Sequence, residues 1–173
     1  MDQTPYEIER KYLIRYPDLA WLEARAEPSR ITQTYLLNGE GCTERVRSRE
    51  TDGRTVYTHT TKKRLTDMRR IEIESEISRG EYEALLLRAD PALRTIEKTR
   101  WCLREGGFLY EIDVFPFWKD RAFLEIELED EGQSFPWPER IVPIREVTGD
   151  RRYSNASLAL EIPQEEIQQN ESK

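Results

Sequence analysis

Glu7-Ile8-Glu9-Arg10-Lys11 is the first patterned stretch of the chain, and its alternation decides how the downstream strands are read. Successive strand side chains point to opposite faces, so Glu7, Glu9 and Lys11 share one face and Ile8 lies on the other. The pattern recurs as Arg45-Val46-Arg47, Glu72-Ile73-Glu74-Ser75-Glu76, Lys98-Thr99-Arg100, Glu111-Ile112-Asp113 and Glu125-Ile126-Glu127. One such face alone would be the solvent side of a half-buried sheet. Recurrence in both signs, with apolar residues often between, points to a charged face enclosed by apolar residues packed outward against helices. A closed sheet of that kind would hold a polyanion and the metal ions that accompany it.

Outward from this stretch, residues 5–14 read as a strand. Pro17 opens a short helix carrying Leu19, Leu22 and Ala26, with Pro28 beyond its end. Strands follow at 31–37, 43–50, 54–63 and 69–78, with hairpin signals at Asn38-Gly39-Glu40-Gly41 and Asp52-Gly53. Tyr82, Leu85, Leu86 and Ala89 predict a helix over 80–89. Strands at 95–104 and 107–115 flank a Glu105-Gly106-Gly107 turn, and the last strand covers 121–129. Pro136 and Pro138 lead into a helix over 137–147, and a short helix starts near Asn155. From Pro163 onward the chain reads as a disordered tail, leaving a single domain over 1–162. Eight strands joined mostly as antiparallel hairpins can close around packed side chains or one small ligand.

Composition narrows the classes. The 173 residues carry a net charge of −7, with 27 basic and 34 acidic side chains, which argues against a general nucleic-acid binder. Cys42 and Cys102 form no metal or redox spacing. They read as reduced thiols of a cytoplasmic protein, a disulfide being the alternative. No secretion signal or membrane-spanning run is present in the sequence, so neither a membrane nor a nucleic acid is an expected partner. His59 is the single histidine, so any metal must be held by carboxylates, which favours Mg²⁺ or Mn²⁺.

The carboxylates fall into groups on shared faces: Glu7 with Glu9, Glu72 with Glu74 and Glu76, Glu111 with Asp113, and Glu125 with Glu127. Two carboxylates about 4 Å apart at an effective dielectric near 20 repel by roughly 4 kcal/mol, so a convergent set needs cations. Lys11, Arg70, Lys62, the row Arg45-Arg47-Arg49 and the pair Lys98-Arg100 could supply a phosphate clamp. Arg49, Lys63, Arg64 and Arg69 are expected at the surface. The competing reading is a set of solvated faces with cross-strand ion pairs, each contributing at most about 1 kcal/mol. No Ser-His-Asp triad, GxSxG or P-loop appears. Trp21, Trp101, Trp118 and Trp137 read as packing residues.

EIERK at 7–11 fits ExExK, the signature of the CYTH domain, or triphosphate tunnel metalloenzyme, superfamily. QTYL at 33–36, RVR at 45–47, Lys62, RIEIE at 70–74, KTR at 98–100, YEIDVF at 110–115 and LEIELED at 124–130 resemble its later strands in order. GDRRYSNASLA at 149–159 looks like the closing segment of short bacterial members. The resemblance implies an α+β fold, a closed eight-stranded antiparallel β tunnel with a charged interior and helices packed outside. It implies that Glu7, Glu9, Glu125 and Glu127 hold Mg²⁺ or Mn²⁺. Lys11, Arg45, Arg47, Lys62 (or Lys63, if a bulge swaps them), Arg70, Lys98 and Arg100 would bind substrate. Lys11, Glu72, Glu74 and Asp113 would serve the chemistry. The implied activity is metal-dependent hydrolysis of a small-molecule triphosphate, inorganic tripolyphosphate first, by a monomer or homodimer. A class IV adenylate cyclase and a non-catalytic polyphosphate- or nucleotide-binding module are the alternatives. The chain lacks the His-Phe pair associated with some cyclase members, and residues 116–121 replace a glycine-containing linker seen in many relatives. Phe115-Pro116-Phe117-Trp118 is expected as an exposed contact.

Overall fold

The structure, a computed structural model, describes residues 6–39, 41–165 and 167. Within these, β1 (Tyr6–Arg15) and α1 (Leu19–Glu23) lead into β2 (Ala26–Tyr35), β3 (Thr43–Thr51), β4 (Arg54–Arg64) and β5 (Arg69–Ile77). Then come α2 (Arg79–Leu86), β6 (Ile96–Glu105), β7 (Phe108–Val114), β8 (Arg121–Leu128) and β9 (Pro143–Glu146). A 3-10 turn (Arg151–Tyr153) and α3 (Asn155–Leu160) complete the order.

The strands run β5-β4-β3-β2-β6-β7-β8-β1-β9, and β5 also pairs with β1, so eight antiparallel strands close into a barrel. The turns after β3 and β6 place both central residues at positive φ, Asp52-Gly53 and Gly106-Gly107, the twist that tight hairpins require. β1 is the seam. One edge follows β8 from Ile8 to Arg15, while the other is shared between β5 at Tyr6–Ile8 and β9 at Tyr12–Ile14.

Two apolar clusters hold this wall. On the outer face of β1, β6, β7 and β8, residues including Ile14, Trp101, Tyr110, Ile112, Leu124 and Ile126 are buried beneath Trp21 and Leu22 of α1 and Phe135, Trp137 and Ile141. The cover is therefore largely the 130–142 loop, where helices were expected. The outer face of β5 is open, with Ile73 62% exposed. The second cluster lies at one end of the barrel, where Leu13, Tyr35, Ile96, Phe115 and Phe123 meet Trp118, Tyr153, Leu158 and Ala159. By alternation the first five face inward, so the charged rows of β1, β6, β7 and β8 each end in an apolar residue, and α3 packs against that end.

Three expectations need correction. Ala26 belongs to β2, not to the first helix, and Pro28, expected just beyond that helix, lies in β2 too, because Ala26 pairs with Leu103 and Pro28 with Trp101 on β6. Pro28 is tolerated there because β3 joins β2 only from Arg30, so its missing N–H costs no second ladder. No helix forms over 137–147; Pro138 and Pro143 interrupt it, and 143–146 add to the free edge of β1 as β9. Phe115 and Trp118 are buried in the end cluster, so Phe115-Pro116-Phe117-Trp118 is not an exposed patch. Part of the expected tail, residues 166 and 168–173, lies outside the described residues. Before it, Pro163 O accepts from Trp118 Nε1 and Glu165 O from Arg121.

Candidate active site

The inward rows of β1 to β8 enclose a cavity of about 520 Å³. Of the residues singled out from sequence, Glu7, Glu9, Lys11, Arg45, Arg47, Lys62, Arg70, Glu72, Glu74, Arg100 and Glu125 line it. The continuous register of β4 on β5 points Lys62 inward and leaves Lys63 exposed, so no bulge swaps them.

Nearest the closed end, the Lys11 ammonium donates to Tyr153 O at 2.7 Å, stands 3.4 Å from Glu125 and 4.0 Å from the Phe123 ring centre. Asp113 accepts from Lys98 Nζ at 2.7 Å and from Arg100 Nε and Nη2 at 2.8 and 2.9 Å. Arg100 also reaches Glu111 at 2.6 Å and Glu125 at 3.6 Å. Asp113 and the Lys98 side chain have no exposed surface and stand behind Arg100, outside the cavity lining. Asp113 therefore braces the cations and does not face the cavity.

Midway, Arg47 Nη2 donates to Gln33 Oε1 at 3.0 Å, and Arg45 stands 4.0 Å from Glu72. The Nε atoms of both arginines are buried without a hydrogen-bond partner. A buried unpaired donor is costly, and native proteins keep few. Both arginines line the cavity from adjacent inward positions of one strand. Higher still, Glu7 meets Arg70 at 2.9 Å and Lys62 at 3.8 Å, Glu72 meets Lys62 at 3.2 Å, and Arg70 also contacts Glu9. Thr60 Oγ1 donates to Glu74 at 2.9 Å.

The ionisation behaviour follows from this crowding. Burial pushes Lys98 down to about 7, reinforced by Arg100, and lowers Lys11 as well. Lys62 is lowered by burial and by Arg45. Burial, then Arg45 and Arg100, bring Arg47 to about 9. These cations have less counter-charge than they could use. For Glu7 burial acts upward, but hydrogen bonding with Glu72 and the charges of Lys62 and Arg70 bring it to about 2. Glu72 moves up, through burial and its bond with Glu7, so the two carboxylates titrate as a coupled pair. Glu125 falls to about 2, burial being outweighed by Lys11 and Arg100.

Glu127 stands directly opposite Glu9 in the β1–β8 register, on the exposed rim outside the lining. Burial raises it, and the charges of Glu7 and Glu111 raise it further. A carboxylate pressed by two others suits a bound cation, and an all-oxygen donor set of glutamates suits a hard divalent ion. Among the described residues, no three potential ligands stand close enough to form a ready-made metal cage.

Several lining residues escaped the sequence reading. Arg49, Arg64 and Arg69, all expected at the surface, also line the cavity. Arg64 and Arg69 are exposed there, and Arg49 is half-buried with its Nη2 bonded to Cys102 Sγ at 3.3 Å. Glu111, grouped with Asp113 on one face in the sequence but given no role, also lines the cavity. The lining further includes Tyr35, Thr148, Arg151, Tyr153 and Ser157. The segment from 147 to 157 carries no strand periodicity to announce this.

Comparison with known proteins agrees with the geometry. The model of the CYTH domain matches residues 5–141. An inorganic triphosphatase of Nitrosomonas europaea is 36% identical over 166 residues, covering 91% of this chain and 99% of that protein. One from Acetivibrio thermocellus is 41% identical over 96 residues, covering 54% of this chain and 58% of that protein. A crystal structure of an inorganic triphosphatase superposes with a TM-score of 0.56 at 32% identity, covering 91% of this chain and 96% of that one. By the extent of the family match and the length of the alignment, this chain belongs to the CYTH domain family.

Proposed function

We propose that this chain is a divalent-metal-dependent hydrolase of triphosphates, with inorganic tripolyphosphate as substrate and orthophosphate and pyrophosphate as products. The observation that carries the proposal is the pair of arginines, Arg45 and Arg47, that line the barrel cavity, each with a buried Nε that has no hydrogen-bond partner. Phosphate oxygens are the acceptors such donors lack. Two relatives named inorganic triphosphatase support the same reading.

Lys11, Arg45, Arg47, Lys62, Arg70 and Arg100 would grip the phosphate chain, with Lys98 adding charge from behind. Phosphate drawing Arg70 and Lys62 to itself would release Glu7, Glu9 and Glu72 from their ion pairs. Glu7, Glu9, Glu125 and Glu127 are the carboxylates that would hold Mg²⁺ or Mn²⁺. When bound, such an ion neutralises phosphate charge and makes the terminal phosphorus more open to in-line attack. The Glu72 carboxylate, with Glu74, would orient the attacking water. Its oxygen bonds to the terminal phosphorus as the bridging P–O bond breaks. Asp113 moves from the catalytic set to positioning, since it holds Lys98 and Arg100 and has no exposed surface.

No helix of the described residues is long and apolar enough to cross a membrane. With free thiols at Cys42 and Cys102, we place the protein in the cytoplasm, acting on a small molecule as a monomer or homodimer. The test is phosphate release from tripolyphosphate, ATP and thiamine triphosphate, each with Mg²⁺, Mn²⁺ or EDTA. EDTA-sensitive release from tripolyphosphate is the expected result. Cyclic AMP from ATP, or binding without turnover, would refute it in favour of a cyclase or a binding module.

A further inference from the structure

The family match ends at residue 141, yet the cavity is walled beyond that point by residues from Val147 to Ser157. This segment is docked on β1 around Lys11. Val147 N donates to Lys11 O at 2.8 Å, Lys11 N to Thr148 Oγ1 at 2.9 Å, and Lys11 Nζ to Tyr153 O. Its other side presses on the β4–β5 hairpin, where Arg64 Nη2 donates to Gly149 O at 2.9 Å and to Asp67 at 2.8 Å. The cavity meets solvent here, at the exposed residues Gly41, Arg64, Asp67 and Arg151.

Three cations of this region are already neutralised. Arg64 is paired with Asp67, Arg152 with Asp150, and Arg145 with Asp150 and Glu165. Arg151 is different: it lines the cavity, and among the described residues its guanidinium has no acidic or hydrogen-bonding partner. Nothing has to be broken for it to take a ligand.

We propose that Arg151 reads the far, unesterified end of the substrate, so that segment 147–157 sets a preference for a triphosphate with both ends free over a nucleoside triphosphate. The inference rests on the triphosphate reading above. A free terminal phosphate offers an additional charged oxygen compared with an esterified one, and a guanidinium takes two oxygens in a planar fork. An esterified end loses that oxygen and places a nucleoside at the opening.

The experiment measures dissociation constants of tripolyphosphate and ATP by calorimetry in EDTA, where turnover is suppressed, for wild type, Arg151→Gln and Arg151→Lys. Arg151→Gln is expected to weaken tripolyphosphate about tenfold, the loss of one exposed charge-assisted contact, and to leave ATP unchanged. Arg151→Lys should recover part of the loss, since it keeps the charge without the fork. Equal weakening of both ligands, or of neither, overturns the inference. Hydrolysis is scored separately: a wild type that binds tripolyphosphate but never cleaves it refutes the proposed function, while the binding ratio still decides the role of Arg151.

Discussion

Replacing Asp113 with Asn should cost this protein about 3 kcal/mol of stability at pH 7, although only one atom changes. Asp113 is fully buried and accepts three hydrogen bonds from two cations at 2.7–2.9 Å. At an effective dielectric near 20, each unit-charge contact at that distance is worth roughly 6 kcal/mol before desolvation. Breaking a buried pair from one side typically costs about 3–5 kcal/mol. Two features place the cost at the lower end. Arg100 keeps Glu111 at 2.6 Å, and Lys98, already at about 7, can shed its proton. Without Asp113 the folded state binds that proton still less readily, so the penalty is largest below pH 7 and levels off above about pH 8. Urea unfolding followed by tryptophan fluorescence is the assay. With a slope of about 2 kcal/mol/M, the midpoint should fall by about 1.5 M at pH 7. The exposed Arg79–Glu83 pair, at 3.0 Å, is the control, and Glu83→Gln should leave the midpoint essentially where it is. An Asp113→Asn variant within about 1 kcal/mol of wild type would refute the reasoning.

Arg45→Met and Arg47→Met should weaken tripolyphosphate binding at least tenfold while leaving thermal stability unchanged or higher, because each removes a buried cation with an unpartnered Nε; lower melting temperatures would contradict this. The carboxylates Glu7 and Glu125, at about 2 in the folded chain against an ordinary 4.5, stabilise it fully above about pH 4.5. That contribution is lost as pH falls toward 2, whereas Lys98 adds stability as pH rises from 7 to 10.5, so melting temperature should collapse on the acid side first. Mn²⁺ alone should bind weakly, since Glu7, Glu9 and Glu125 are engaged by Arg70, Lys62, Lys11 and Arg100; a non-hydrolysable triphosphate should tighten it at least tenfold by calorimetry. Gly149→Ala should destabilise by at least about 1–2 kcal/mol, because φ is +75° and the added Cβ would stand 2.6 Å from Asp67 Cβ; an unchanged unfolding midpoint would contradict the close approach.

The barrel was legible because most of its inward rows carry alternating charges, so Glu7-Ile8-Glu9 or Arg45-Val46-Arg47 declares strand and face together. Alternation gives the face of a residue but not its depth. Asp113 shares its face with Glu111, yet it lies behind Arg100 while Glu111 reaches the cavity. Glu127 follows Glu125 on one face, yet it stands on the rim. A depth signal was present: Lys11 gives way to Leu13, Lys98 to Ile96, Asp113 to Phe115 and Glu125 to Phe123, all toward the closed end. The misread helix over 137–147 has a non-local cause, since the open edge of β1 that recruits Pro143–Glu146 cannot be seen from the local pattern. The wall at 147–157 is irregular chain, where neither period 2 nor 3.6 applies.

The most direct test is a crystal structure with a non-hydrolysable triphosphate and Mn²⁺, with anomalous scattering used to locate the metal. Phosphate oxygens are expected within hydrogen-bonding distance of Arg45 Nε and Arg47 Nε, with manganese on glutamates of the β1 and β8 rows. Phosphates outside the barrel, or manganese away from Glu7, Glu9, Glu125 and Glu127, would contradict a triphosphate held in the tunnel.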